Sequence, residues 1–486
     1  MVHPVPANAK HRPIIGRLLP CQALIVFSAA ALSLAGCAGK DTIYRDIGAS
    51  RARAYERWQD DRNQKQTSEN VYRGALSREQ CVDIALERNK QIMAVVWEKE
   101  KATGRITEAY SQALPNVGLE GRYTRLDQAG ASMVPGGGLN TYGLTAGVTQ
   151  PLFRGGAIGA GITAAKIYSY MADERKQEVV QGVIFDVCKS YYDVLLAQEL
   201  LRVSEQAVSL SQSHRDDVIK RKDQGIASDY DVLRASVEVT NYEAEMIQNR
   251  NRLHLAKSSF YKLLGLSQES EIEFTDTFQY EAAAANLDEA VSEAYTRRPE
   301  LIQAELALKL SEQALKAAKA ERWPKVDAFF NETYSNPDPH FSPGWGDGWT
   351  AGAAMRFPIF DGFRTKGLVR QAKADVEKSR VQLSDAEETV LLNVKQAVLS
   401  VEDARAFVES QKANAQTAQE GLKLVEAGYR EGVNTELEVR DARQALLRAT
   451  SLHYQAIHQH QVAVLSLKKA TGAMLPQKPE PAETAR

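Results

Sequence analysis

The chain has 486 residues, of which 25% are charged, and its formal net charge at pH 7 is −2. Beyond residue 36 there is no run of apolar residues as long as the roughly 18 that a transmembrane helix needs, so any membrane crossing would use strands. The slightly acidic balance disfavours a nucleic-acid partner.

The N-terminus is typical of a targeting segment. A basic start is followed by an apolar run from Ala23 to Leu34, the length of a secretory signal peptide. The run ends in Leu34-Ala35-Gly36-Cys37, which is similar to the bacterial lipoprotein box. We therefore predict a lipoprotein signal peptide at residues 1–36 and acylation of Cys37. The alternative is a plain signal peptide followed by an incidental cysteine. Removal of the segment would take the net charge to about −5.

Two further cysteines, Cys81 and Cys188, lie in helical patterns. An oxidising compartment would allow them to form a disulfide, but nothing in the sequence sets the distance between them. Burial as small apolar side chains is the favoured interpretation, and pairing stays open.

The rest of the chain repeats itself. Four motifs recur at an offset of about 207 to 209 residues, which indicates one duplicated unit. The motif pairs are Leu114–Val117 with Trp323–Val326, Gln150–Gly156 with Phe357–Phe363, Lys222–Ile226 with Tyr429–Val433, and Leu264-Gly265 with Thr471-Gly472. Each copy predicts a long helix, two strands, a very long helix, a tight turn and a final helix.

These features predict six segments along the chain. They are a signal peptide at 1–36, an acylated N-terminal extended segment at 37–76, repeat 1 at 77–268, an equatorial linker between the repeats at 269–286, repeat 2 at 287–473 and a disordered tail at 474–486.

Each repeat contains one segment that predicts an unusually long helix. Residues 161–221 and 365–429 lack proline, and about 60 helical residues would span roughly 90 Å. Small apolar residues recur along both at alternating spacings of three and four, for example Val390, Val394, Ala397 and Val401. That period predicts coiled-coil packing. An ordinary two-stranded coiled coil would show the same stripe.

Two stretches of alternating apolar and polar residues precede each long helix. They cover residues 116–124, 141–149, 326–334 and 349–357. Their length suits tilted transmembrane strands. Because open strand edges are costly in lipid and single-chain barrels start at about eight strands, several chains would have to pool their strands, and three chains would supply about twelve. Two soluble hairpins on a helical protein would show the same alternation.

This arrangement resembles the TolC-like outer membrane factor family, and within it the acylated OprM-like lipoprotein branch, over roughly residues 77 to 473. The doubled unit, the junctions Pro151-Leu152-Phe153 and Pro358-Ile359-Phe360, and two glycine-centred turns carry the resemblance. It implies an internally duplicated fold, mainly α with membrane β. A homotrimer would form a long coiled-coil α-helical barrel and a shared transmembrane β-barrel, with four strands per chain and twelve in the trimer.

The resemblance also implies location and partners. The protein would sit in the outer membrane, held by outer-membrane lipid and by acylated Cys37, and extend into the periplasm. A periplasmic adaptor (membrane fusion protein) and an inner-membrane pump would complete a tripartite efflux system. In it the chain would be a passive duct for small molecules.

The resemblance places two kinds of site at the lower helix tips. The adaptor would contact the turns at Gly225, Ile226, Gly432 and Val433, and the periplasmic gate would use Asp231, Tyr429, Glu438 and Asp441. Asn434 stands where the family has Arg, so we expect either that Arg430 or Arg440 replaces it or that the closed state is looser. The alternatives are that the glycines serve only the turns and that the acids lie on solvated helix faces. In a trimer, Asp231, Glu438 and Asp441 of the three chains would bring about nine carboxylates close together. Such a cluster would favour cations, which predicts weak cation selectivity and block by divalent cations.

Other classes of protein fit less well. We find no phosphate loop, zinc-protease histidine pair or nucleophile elbow, so we predict no enzyme, cofactor or metal site. A conduit for protein or polysaccharide secretion would share the fold and differ only in partners. A periplasmic adaptor lipoprotein would need one helical hairpin flanked by compact β domains. A passive tube has no substrate pocket from which its cargo could be identified.

Overall fold

A computed structural model describes residues 40–63, 71–128, 139–283, 285–338 and 344–474. The predicted signal peptide, Cys37 and all but the first residue of the predicted tail at 474–486 lie outside these ranges. Within them, no helix combines the length and the apolar character needed to cross a membrane.

In the described residues of the N-terminal unit, the chain forms a helix, α1 (Lys40–Asn63). This corrects the prediction of an extended segment across residues 37–76. The helix has no apolar stripe to reveal it, but it is rich in Ala and Arg, which have high helix propensity. Arg53 and Arg57 each donate from Nε to the carbonyl four residues earlier, at 3.3 Å.

From Tyr72 onward the described residues form one series of six elements twice, and the first copy has two additional short strands, one at each end. The first copy consists of β1 (Arg73–Leu76), α2 (Arg78–Arg88), α3 (Lys90–Ser111), β2 (Asn116–Arg125), β3 (Asn140–Phe153), α4 (Ala157–Asp223), α5 (Asp229–Leu264) and β4 (Glu271–Phe274). The second copy consists of α6 (Leu287–Arg297), α7 (Pro299–Ala320), β5 (Lys325–Asn336), β6 (Gly346–Arg356), α8 (Arg364–Arg430) and α9 (Glu436–Ala470).

Helices α4 and α8 are the longest elements, at 67 residues each, or about 100 Å. Each folds back into a hairpin with the following helix, α5 or α9. Along α8 the predicted stripe is buried at Val390, Val394, Ala397, Val401 and Ala404. Because these side chains are small, neighbouring helices can approach closely, and each layer of the interface buries only a small side-chain volume.

Four strands form one antiparallel sheet in the order β2-β3-β5-β6. The register places Val117 opposite Val148, and Phe330 opposite Ala351, so one face is largely apolar. The other face is polar, and Thr145 and Thr333 lie 3.1 Å apart between their hydroxyl oxygens. In the described residues β2 and β6 each pair on one side only, which leaves two open edges.

A bidentate ion pair ties the two copies together where the strands meet the long helices. Arg154 donates to both carboxylate oxygens of Asp327, at 2.5 and 3.1 Å. Arg154 follows the Pro151-Leu152-Phe153 junction at the end of β3, and Asp327 lies near the start of β5. The pair is about a quarter exposed, so it is shielded from solvent better than the surface ion pairs of the helices.

The largest core cluster lies where α2, α4, α5 and the short parallel pair β1–β4 meet. Tyr191 is fully buried in it and packs edge-on against Phe260 and Phe274. Cys81 and Cys188 belong to the same cluster, and both are free thiols. This matches the favoured interpretation of the two cysteines as small buried side chains.

Candidate functional site at the helix tips

Both helical hairpins end in the same kind of turn. Gly225 and Gly432 adopt φ of 74° and 76°, the left-handed region that favours glycine. One residue later, the amide of Ile226 donates to Arg221 O and the amide of Val433 donates to Gly428 O, both at 2.8 Å. These bonds satisfy carbonyls that the helix ends would leave unpaired.

The helices that follow the turns begin with matching capping boxes. Ser228 Oγ accepts from the amide of Asp231 at 3.2 Å, and the Asp231 carboxylate accepts from the Ser228 amide at 2.8 Å. Thr435 and Glu438 form the same pair of bonds, at 3.4 and 2.6 Å. Two of the four predicted gate residues therefore also cap the N-termini of α5 and α9.

The capping bonds alter the acidity of both carboxyl groups. The Ser228 amide, followed by its hydroxyl, lowers the pKa of Asp231. The Thr435 amide and hydroxyl lower the pKa of Glu438 in the same way. Hydrogen bonds to the ionised form favour it, so both groups carry a full negative charge at neutral pH.

Tyr429 lies against an arginine of the other repeat. Arg221 Nη1 donates to the Tyr429 hydroxyl at 3.1 Å, and the guanidinium carbon lies 4.8 Å from the ring centre. We call this contact the tip clasp. It joins the last turn of α4 to the last turn of α8 and combines a hydrogen bond with a cation–π contact.

Two further polar contacts link helices near the tip clasp. His214 Nε2 of α4 lies 3.5 Å from Glu436 Oε1, in the first turn of α9. Arg443 of α9 donates to Glu426 of α8, at 3.2 and 3.4 Å. The first contact crosses between repeats and the second lies within repeat 2.

The other predicted gate residues have separate partners. Asp441 pairs with its neighbour Arg440 at 3.4 Å, and Arg430 donates to the carbonyl of Glu426. In the described residues neither arginine is hydrogen-bonded to Tyr429, and the expectation that Arg430 or Arg440 takes the family arginine's place in the closed state stays a prediction. The structure places Arg221 on Tyr429. No hydrogen bond joins Asp231 to Tyr429 in the described part of the chain.

Sequence reasoning missed Arg221, although the duplication contains a signal for it. Arg221 and Tyr429 are 208 residues apart, which is one repeat length, so they lie at nearly equivalent helix ends. Equivalent ends of two adjacent repeats are expected to meet. Asn434 lies against Gly428, where a side chain in place of the glycine hydrogen would overlap it.

The turns also present apolar side chains to solvent. Ile226 is 72% exposed and Val433 is 80% exposed. Exposed aliphatic residues at the two equivalent turns make a small apolar surface at the tip of each hairpin.

Comparison with known proteins gives a consistent result. The profile of the family described as "Outer membrane efflux protein" matches residues 81–266 and 290–473. The chain is 23% identical to outer membrane protein TolC of Escherichia coli strain K12 over 408 residues, covering 79% of this chain and 80% of that protein. It is 21% identical to outer membrane protein OprJ of Pseudomonas aeruginosa over 397 residues, covering 80% of this chain and 83% of that protein.

The fold has similar solved structures. The outer membrane protein VceC of Vibrio cholerae superposes with a TM-score of 0.71 at 19% identity, covering 81% of this chain and 96% of that chain. The two matched blocks of the family profile each span one helix–strand–strand–helix unit.

Proposed function

Because the chain belongs to the outer membrane efflux protein family, we propose that three copies form a passive duct for small molecules, gated at the helix tips. The family is one of efflux channels rather than enzymes. The observation that carries the proposal is the pair of long helical hairpins joined to a four-stranded sheet with two open edges.

The open edges of the sheet support assembly. The unpaired edges of β2 and β6 would expose backbone donors and acceptors to lipid, at a cost of several kcal/mol per group. Pairing β6 of one chain with β2 of the next satisfies them, and three chains give a closed sheet of twelve strands. The largely apolar face of that sheet suits contact with lipid.

The gate is proposed at the tips, where the helices are joined across the repeats. The tip clasp between Arg221 and Tyr429 holds α4 and α8 together and opposes their separation. Asp231, Glu438 and Asp441 supply the negative charge near it. In a trimer these carboxylates would favour cations at the entrance and bind divalent cations.

The partners are proposed to be a periplasmic adaptor and an inner-membrane pump. The exposed turns at Gly225–Ile226 and Gly432–Val433 offer the adaptor two equivalent apolar contacts in each chain. Acylated Cys37 would add a lipid anchor to the strands. Cargo selection would belong to the pump.

The proposal is tested on purified mature protein by native mass measurement and planar-bilayer recording. We expect a trimer with small single-channel currents, a reversal potential that favours cations, and block by added divalent cations. A stable monomer, or a trimer that never conducts even after the tip clasp is removed, would contradict it.

A further inference from the structure

A cavity of about 180 Å³ lies between the two helical hairpins, a few turns from their tips. All four helices α4, α5, α8 and α9 contribute to it, and we call it the wall cavity. Half of the twelve residues that line it are aliphatic: Val203, Ala207, Leu210, Leu422, Leu446 and Leu447. An apolar cavity of about 150 Å³ holds a benzene ring, so the wall cavity has room for one ring and a short side chain.

Six polar side chains complete the lining: Gln206, Ser211, Glu238, Tyr242, Arg443 and Thr450. The Arg443 guanidinium is occupied by Glu426, with two bonds of 3.2 and 3.4 Å. Glu238 Oε1 is buried and has no hydrogen-bond partner in the described residues. A carboxylate oxygen removed from water without a donor is unfavourable, and a cationic donor relieves that cost best.

Tyr242 lies one turn from Glu238 on α5. Burial, followed by the charges of Glu238 and Glu245, raises the pKa of its phenol. The phenol is therefore neutral at pH 7, which leaves Glu238 and the Arg443 guanidinium, already paired with Glu426, as the ionisable groups of the lining that can carry charge.

We propose that the wall cavity binds a small aromatic amine in its protonated form. The ring fills the aliphatic part of the cavity and the ammonium group donates to Glu238. A ring without the amine leaves the Glu238 oxygen unpaired, and a cation without the ring leaves the aliphatic walls unfilled. The chemistry of the lining therefore demands both parts.

The position of the cavity gives the ligand a consequence for the duct. The wall cavity lies between the hairpin of repeat 1 and the hairpin of repeat 2. It exists in the same packing of the two hairpins in which the tip clasp is formed. A ligand that fits this arrangement and not one with the hairpins apart shifts the population towards it. Binding itself needs no open channel, so the site can be tested independently of conductance.

The test is a ligand-observed NMR titration of the detergent-purified full-length protein. The probes are 2-phenylethylamine, which is protonated at neutral pH, and the isosteric neutral 2-phenylethanol. Each is titrated against wild type, Glu238→Gln, and Glu245→Gln, an exposed carboxylate on the same helix that serves as matched control. A fourth protein, Ala207→Leu, narrows the cavity without changing its charge.

We expect the amine to bind wild type and Glu245→Gln about tenfold or more tightly than the alcohol does, and to lose that advantage in Glu238→Gln. Ala207→Leu should weaken both probes. Equal binding of amine and alcohol, unchanged amine binding in Glu238→Gln, or no saturable binding to wild type would each overturn the proposal.

Discussion

At the residue scale, buried histidine makes the fold sensitive to acid. His460 is fully buried against Tyr280, and neither ring nitrogen has a hydrogen-bond partner in the described residues. Burial lowers the pKa of His460 below its ordinary value of 6.5. At pH values just below 6.5, the imidazole therefore stays neutral in the folded protein, whereas it binds a proton in the unfolded chain.

This gives a signed prediction for pH. Above pH 6.5 the ring is neutral in both states and stability is unaffected, whereas below it protonation of the unfolded chain lowers stability as pH falls. His460→Phe should flatten the fall in thermal midpoint between about pH 7.5 and 5.5, and should raise stability by about 1 kcal/mol at neutral pH by removing unpaired polar atoms. Exposed His254→Gln is the control. An unchanged pH slope in His460→Phe would count against this account.

The two core cysteines should be chemically inert. Burial, with a contribution from the charge of Asp276, raises the pKa of Cys81 to about 12. Burial also raises the pKa of Cys188, against the opposing charges of Arg78 and Lys468. Because the thiolate is the reactive form, maleimide at pH 7 should label neither residue until the protein unfolds.

Mass spectrometry of labelled protein checks that expectation. Ile226→Cys, at an exposed turn, provides a positive control that should label within the same reaction time. Native labelling of Cys81, or a mass two units low from a disulfide, would show that the core opens more readily than its packing indicates.

At the element scale, the capping role of Glu438 can be separated from the negative charge that it contributes at the helix tips. Gln at the third helical position keeps a capping box, so Glu438→Gln retains the start of α9 and removes the charge. Thr435→Ala removes the cap and leaves the charge. We expect Glu438→Gln to reduce cation selectivity, measured as reversal potential in a salt gradient, and Thr435→Ala to leave it unchanged. The opposite pattern would mean that Glu438 matters only as a cap.

Two left-handed glycines should respond differently to the same substitution. A Cβ at Gly265, which ends α5, would lie 2.8 Å from the backbone oxygen of Arg88, whereas nothing lies within 4 Å at Gly225. Both positions have positive φ, which alone costs about 1 kcal/mol for alanine. Gly265→Ala should therefore lower stability by about 2 kcal/mol more than Gly225→Ala, because α2 must shift. Similar unfolding midpoints for the two variants would contradict this packing.

At the scale of the whole molecule, the elements and their order were predictable because their signals are local and occur twice. The stripe through Val390 and Val394, the alternation around Phe330 and the turn at Gly225 each identify an element from its own residues. Helix α1 was missed because it has no apolar face and rests on propensity alone.

The arrangement of the tips was only partly predictable. Tyr429 could be identified by resemblance to the family. Its partner Arg221 depends on how the two hairpins pack against each other, and the sequence of one hairpin does not determine that packing. The roles of Asp231 and Glu438 as caps are encoded in their spacing of three residues from Ser228 and Thr435. The wall cavity needs four helices in place before it exists.

The central claim is that contacts between the repeats hold the helix tips of a conducting trimer together. Single-channel recording of wild type, Arg221→Ala, Tyr429→Phe, the double variant and Arg430→Ala tests it most directly. The tip clasp predicts larger or longer openings in both single variants. The double variant should gain little more, because either single substitution already removes the contact between the two residues. Arg430→Ala should behave as wild type. Unchanged currents without the clasp, or equal opening by Arg430→Ala, would contradict the account.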